Sequence, residues 1–406
     1  MTVPSGARRN LRLYPWYVAG GSFFAWMPVF FLYFSTHVTL TEVLALEAIY
    51  YASVVLLEVP SGYFSDRVGR RPTLIISAAG LVAAYATFGL ASSFVALACA
   101  QVLLAAGLAF NSGTDTSFHL STLEELGEAD RYADREAKLV SLTFAVGGAA
   151  AVAGGAIALL DIRFAYGLSL LGAAVALVAA LAFAPVARAS DEASASLVDS
   201  LRGCVDLAMT PRVGWFFAAA VVATVINHIP YEFYQPYLER LEDTSWDAGT
   251  TPLVAGLHLA LVQVVAAVSA QGSSTLAARL GPVVLVLAAT LLQLALVVGM
   301  AWWLSPWVAL LLVGRSVPRA LQDAPIRAVV APNVPADLRA TYLSLQSLMG
   351  RLGFALLLVA LSLGANDVAR TLQLAAMIAG GLVAALLLAS RLAGKGDEQD
   401  VPLSSG

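Results

Sequence analysis

Gly62-Tyr63-Phe64-Ser65-Asp66-Arg67-Val68-Gly69-Arg70-Arg71-Pro72-Thr73-Leu74 is a short charged turn between two apolar runs, residues 41–60 and 73–92. Its two glycines permit a tight reversal, and Asp66 is expected near the start of the second run's helix, with Arg67, Arg70 and Arg71 available to pair with it. Each flanking run has the length, about 20 residues, that a helix needs to cross a hydrocarbon core roughly 30 Å thick. The stretch therefore reads as a tight loop between two antiparallel membrane helices.

Working outward, the rest of the chain repeats this pattern. Of 406 residues, 59% are hydrophobic and 12% charged, an apolar content that a soluble domain of this size could not hide from water. Apolar runs lie at 14–35, 41–60, 73–92, 95–119, 138–160 and 163–184, and then at 213–238, 252–272, 282–303, 307–328, 340–363 and 368–391. The first follows Arg8, Arg9 and Arg12, but it is too long for a signal-peptide core and has no small-residue cleavage site, so it reads as the first membrane helix. Cys99 and Cys204 fall in a membrane run and a charged linker, which implies neither a disulfide framework nor a metal cluster.

Direction follows from the basic residues. Arg67, Arg70 and Arg71, then Arg131, Arg135 and Lys138, then Arg188, Arg202 and Arg212 occupy alternate loops, and the intervening loops carry only Arg163, Arg240 and Arg370. The positive-inside rule then puts both termini in the cytoplasm of a bacterial-type inner membrane. Residues 185–212 break the hydropathy, but Leu197, Val198, Leu201, Val205 and Ala208 recur at helical spacing, so one amphipathic surface helix is expected there. The organisation expected is an N-terminal six-helix bundle (1–184), this linker (185–212), a C-terminal six-helix bundle (213–392) and a cytoplasmic tail (393–406).

The halves echo one another. Residues 133–142, Ala-Asp-Arg-Glu-Ala-Lys-Leu-Val-Ser-Leu, parallel 336–345, Ala-Asp-Leu-Arg-Ala-Thr-Tyr-Leu-Ser-Leu, and Met27-Pro28 in the first run parallels Ile229-Pro230 in the seventh. Beside this duplication, the opening stretch resembles the major facilitator signature G-x-L-A-D-R-x-G-R-R/K-x-x-L, with Phe64 for Leu and Ser65 for Ala. The resemblance implies an all-α membrane protein of 12 transmembrane helices in two pseudo-symmetric bundles. It also implies a lock on the cytoplasmic side built from Gly62, Asp66, Arg67, Gly69, Arg70 and Arg71, with Asp66 facing Arg339, Glu136 available to Arg70, and Glu58 in the same network. The equivalent second-half stretch keeps Arg279 and Gly281 but has Ala278 for the aspartate, so the lock is asymmetric. Leu103 stands where many proton-driven drug exporters carry an arginine four residues before the equivalent of Gly107, which weakens any transfer of their coupling mechanism.

A charge at mid-bilayer costs at least a few kcal/mol, so each interior one should face a cavity or a partner. Glu47 reads either as a proton carrier or as an interfacial carboxyl bonded to a neighbouring tyrosine. Ser112, Asp115, Thr116 and His119 share a helical face that either binds substrate, gates, or satisfies itself. Asn227, His228, Tyr231, Glu232, Tyr234 and Gln235 cluster in the seventh run, for substrate contact or for interhelix bonding. In the tenth, Arg315, Arg319 and Asp323 follow at i, i+4 spacing. Mutual neutralisation of Arg319 and Asp323 would leave Arg315, and Arg351 in the eleventh, to bind an anion or to pair with Glu232.

These features converge on secondary active transport by alternating access. No phosphate-cradling loop, zinc-ligand spacing or assembly of nucleophile and base is visible, so no enzyme, cofactor or metal is expected. H+ is the expected coupling ion, through Glu47, Asp115, Glu232 or Asp323. The aromatic residues Phe24, Trp26, Phe30, Tyr33, Tyr231 and Tyr234 favour export of a small amphiphilic compound, with uptake or exchange of an anionic metabolite as the alternative and a non-transporting membrane sensor as the rival from another class. The expected partners are a small-molecule substrate and the lipid bilayer, with no nucleic acid and a monomeric chain.

Overall fold

The computed structural model describes residues 5–186, 197–245, 249–335, 338–364 and 367–394. Its first half contains α1 Ser5–Gly21, α2 Phe30–Ser35, α3 Leu40–Val68, α4 Arg70–Leu90, α5 Phe94–Asn111, α6 Thr114–Glu125, α7 Tyr132–Ile157 and α8 Arg163–Ala182. Its second contains α9 Leu197–Ala208, α10 Pro211–Ser245, α11 Thr251–Leu280, α12 Pro282–Trp302, α13 Pro306–Leu311, α14 Val317–Asn333, α15 Arg339–Ser362 and α16 Val368–Gly394. No strand occurs among the described residues. Among the described residues, eight helices are long and apolar enough to cross a membrane, with shorter apolar stretches at Ser141–Ile157 and Thr251–Ala266. The first and tenth spans are each divided between two helices, which brings the count to twelve. The expected tail lies almost wholly outside the described residues, as do 187–196 of the linker, whose amphipathic stretch forms α9.

Three runs that read as continuous are interrupted. The first stops at Gly21, passes through turns over residues 22–29 and resumes as α2. Pro28 has no N–H to give a helical ladder, and the Trp26 N–H donates instead to Ser169 Oγ of α8 at 3.1 Å. An irregular backbone at membrane depth is tolerated where protein groups satisfy it in this way. The fourth breaks at Gly113, which takes φ 72°, a left-handed conformation that glycine adopts without steric cost. Ser112 therefore caps α5, and only Asp115, Thr116 and His119 of the expected face lie on α6. The tenth tightens to a 3₁₀ turn over Leu312–Ser316, ahead of Pro318. Pro230, the counterpart of Pro28, instead sits inside the uninterrupted α10.

The opening stretch also differs in register. α3 continues to Val68, so Asp66 lies in the last turn of that helix and not at the start of the next. The reversal falls on Gly69 alone, at φ 118°, and Gly62 is interior to α3.

The chain divides into two compact units, Met1–Ser190 with Leu238–Gln263, and Asp191–Tyr237 with Val264–Gly406. In the first, Tyr14, Tyr17, Phe118 and Phe183 pack a core where α1, α6 and α8 meet. α7 and α11 cross so closely that a Cβ on Gly155 would strike Pro252 O, and one on Gly256 would strike Ala151 O. In the second, Trp215, Phe216, Tyr342 and Leu386 form the core, with Trp215 Nε1 donating to Leu386 O at 3.1 Å. α9 docks on this unit through Gly203 and Cys204 against Leu338.

Candidate functional site

Within the second unit, α10, α14 and α15 enclose a cavity of about 310 Å³. α14 contributes Arg319, Gln322 and Ile326, whose i, i+3, i+7 spacing puts them on one face. α10 contributes Ala220, Ala223 and Thr224, and α15 contributes Leu343, Gln346 and Ser347. Small residues on α10 leave the room, and at Gly350 the absence of a side chain lets α15 close against Thr224.

The polar wall is fixed from behind. Gln322 Nε2 donates to Thr290 Oγ1 at 2.8 Å and to Val286 O at 3.2 Å, both on α12. Gln346 Nε2 donates to Phe216 O at 3.4 Å, and Thr224 Oγ1 to Ala220 O at 2.8 Å. Gln322 and Gln346 are buried and anchored through their amide nitrogens, which restrains their rotamers, so this part of the wall is preformed.

Arg319 is the cation on this wall. Arg315 is 3% exposed, with its guanidinium 4.3 Å over the buried Tyr234 ring, a contact contributing about 2 kcal/mol when desolvated. Neither Arg315 nor Arg351 lines the cavity. The side chain of Asp323, the expected partner of Arg319, lies outside the described residues. The seventh-span cluster is likewise off this wall. Glu232, Tyr234 and Gln235 are buried, and Asn227, His228 and Tyr231 are half-buried. His228 Nδ1 meets Thr224 O at 2.6 Å, with its ring 5.0 Å from Phe354.

In the first unit, Glu47 is 5% exposed and Gln101 2%, and Gln101 Nε2 donates to Glu47 Oε1 at 2.8 Å. The carboxyl is thus bonded to α5, not to a tyrosine. Tyr17 OH donates to Asn111 Oδ1 at 2.7 Å, and Asn111 Nδ2 to Asp115 Oδ2 at 3.2 Å, so a short chain of bonds joins α1, α5 and α6. His119 Nδ1 lies 3.0 Å from Glu136. Arg70 bonds Ser121 Oγ, while Arg71 Nη2 donates to Leu181 O at 2.9 Å and Arg67 lies 5.2 Å over the Tyr63 ring. The side chains of Asp66 and Arg339 lie outside the described residues; Glu58 is half-buried on α3.

The aromatic candidates divide. Phe30 and Tyr33 are buried among Trp26, Phe34, Phe88 and Tyr166, with Tyr33 OH donating to Phe88 O. Phe24 and Trp26 are half-buried, and Trp26 Nε1 donates to Tyr85 OH at 3.1 Å. Thr224, Gln322, Gln346 and Ser347 are cavity residues that the sequence reading did not select as site residues. Gln322 alone had a signal, one turn from Arg319 on the polar stripe; the others are isolated polar residues in apolar spans.

The sequence profile of the Major Facilitator Superfamily matches residues 17–358. No curated protein matches the sequence significantly. Among solved structures, the nucleoside transporter NupG superposes with a TM-score of 0.74 at 13% identity, covering 94% of this chain and 98% of that one. The peptide transporter POT in complex with sulfate superposes at 0.71 and 14%, covering 97% and 95%. A bacterial homolog to the human lysosomal transporter Spinster, inward-facing and unoccupied, superposes at 0.70 and 15%, covering 97% and 99%. At such identities the likeness is one of fold.

Proposed function

The chain belongs to the Major Facilitator Superfamily, and on that premise we propose that it is a proton-coupled secondary transporter, its halves 1–184 and 213–392 working by alternating access on a small polar solute. The observation that carries the cargo reading is the preformed wall of Arg319, Gln322, Gln346, Thr224 and Ser347 around about 310 Å³, the lower end of the roughly 300–1,000 Å³ typical of small-molecule sites. A polar solute fits this wall better than an amphiphile does, because Phe30, Tyr33 and Tyr234 are buried in packing and offer a ligand no surface. The solved relatives named for nucleosides and peptides agree with a polar cargo.

Proton coupling rests on Glu47, a buried carboxyl whose described side-chain partner is the neutral Gln101. That bond gives a carboxylate no counter-charge, and an ionisable group so placed inside a membrane span is a candidate for function. The test is flux. Proteoliposomes holding the purified protein are loaded with a metabolite extract, a pH gradient is imposed, and each component is followed by mass spectrometry. Movement of a defined component, driven by the gradient and absent from protein-free vesicles, is the expected result. If no component moves, the transporter reading fails.

A further inference from the structure

The hydrogen-bond inventory of the α10–α14–α15 cavity narrows the cargo further than polarity does. Val286 O can only accept, so the nitrogen of Gln322 must face it. Both N–H groups of that amide go to α12, and what Gln322 has left for a ligand is its Oε1, an acceptor. The same argument turns one Gln346 N–H to Phe216 O and the Thr224 hydroxyl hydrogen to Ala220 O. Thr224 is left with lone pairs, and Gln346 with Oε1 and one N–H. Against these acceptors stands Arg319, with its permanent charge and a planar fork of donors. Its side chain is exposed.

The wall thus pairs a cation with a set of acceptors at fixed positions. A neutral solute would make no use of the guanidinium's charge, and an acid lacking N–H or O–H groups would leave the oxygens of the buried Gln322 and Gln346 unmet. Leaving buried polar groups unmet weakens binding. Resting on the transporter reading above, we infer that the cargo is a small organic acid, carboxylate or phosphate ester, that also carries hydroxyl or amino donors. Its acidic group seats on Arg319, and its donors face Gln322 Oε1 and Thr224 Oγ1.

The test is thermal unfolding of the full-length purified protein against four probes. Gluconate has a carboxylate and donors, glucose 6-phosphate a phosphate and donors, hexanoate a carboxylate alone, and glucitol donors alone. A ligand that binds the native state raises the melting temperature by mass action. The expected result is stabilisation by gluconate or by glucose 6-phosphate at concentrations at least tenfold below those at which hexanoate or glucitol act; which of the two acts tells carboxylate from phosphate. Arg319→Gln should erase the difference. If that variant does not fold, Arg319→Lys, which keeps the charge and loses the fork, should weaken binding several-fold. Equal stabilisation by glucitol or hexanoate, an unchanged response in the arginine variants, or no response to any probe overturns the inference. In the extract flux assay, movement of a neutral or cationic component alone sinks this inference and leaves the transporter reading standing; absence of all movement sinks that reading, while the unfolding series still judges the cavity.

Discussion

At the scale of single residues, the two interior amide contacts make opposite demands. Gln101 holds Glu47 by one bond in a buried helix interface, so Glu47→Gln keeps a hydrogen-bond partner and removes only the titratable group. Uphill accumulation driven by a pH gradient should be lost in Glu47→Gln, while equilibrium exchange across proteoliposomes persists; intact accumulation would exclude Glu47 as the carrier. Thr290 acts on the cavity through Gln322 and not by contact. Thr290→Val, of equal size, removes the acceptor and frees the amide, and a loss of about 1 kcal/mol corresponds to roughly a fivefold weaker affinity for the effective acid probe. Thr290→Ser should restore it; an unchanged affinity in the valine variant would mean that Gln322 is held by packing. Arg319 could be read from sequence because charge in an apolar span stands out, whereas Thr224, Gln346 and Ser347 could not, since one hydroxyl or amide among leucines has no periodicity to announce it.

At the scale of elements, hydropathy located the spans and misjudged their continuity. The first run reads as one helix because Phe, Trp and Met carry it past Pro28, and only Ser169, far along the chain, shows how the broken backbone is satisfied. Asp66 was misassigned for a related reason, since the turn contains two glycines and only the left-handed backbone of Gly69 marks where α3 ends. The α7–α11 crossing was invisible to composition, because small residues pack only against a partner that the sequence does not name. At Gly256 an added Cβ meets the backbone of Ala151, which cannot yield as a side chain could. Gly256→Ala should therefore lower stability by about 1–3 kcal/mol, read as a fall in melting temperature in detergent, whereas Gly148→Ala, with open space around it, should change little. The docking of α9 is testable through Cys204, which is 0% exposed and whose thiol ionisation burial pushes up. In a Cys99→Ala background, a maleimide at neutral pH should leave Cys204 unmodified until the protein unfolds; rapid labelling would show that α9 leaves its seat.

At the scale of the whole molecule, the distribution of arginine carries an argument that no single helix does. Arg67, Arg70 and Arg71 fall around the α3–α4 turn, and Arg131, before α7, and Arg135, in its first turn, both bond Glu128 at 3.1 Å. Three loops of the other set, at 36–39, 91–93 and 303–305, carry no arginine or lysine, and the rest have only Arg163, Arg240 and Arg370 beside them. Twelve spans return the chain to its starting side, so a single orientation accounts for every loop at once, and basic residues resist translocation toward the outside. A reporter fused after Glu128 should therefore behave as cytoplasmic, with alkaline phosphatase inactive and green fluorescent protein bright. A fusion after Leu160, between α7 and α8, should give active phosphatase, and a fluorescent protein after Gly394 should be bright again. The duplicated architecture makes these three results interdependent, since an even number of spans forces the two ends to agree. Active phosphatase after Glu128 together with a dark C-terminal fusion would invert the whole assignment, and disagreement between those two positions would mean that a span between them does not cross, the divided α13–α14 being the first to suspect.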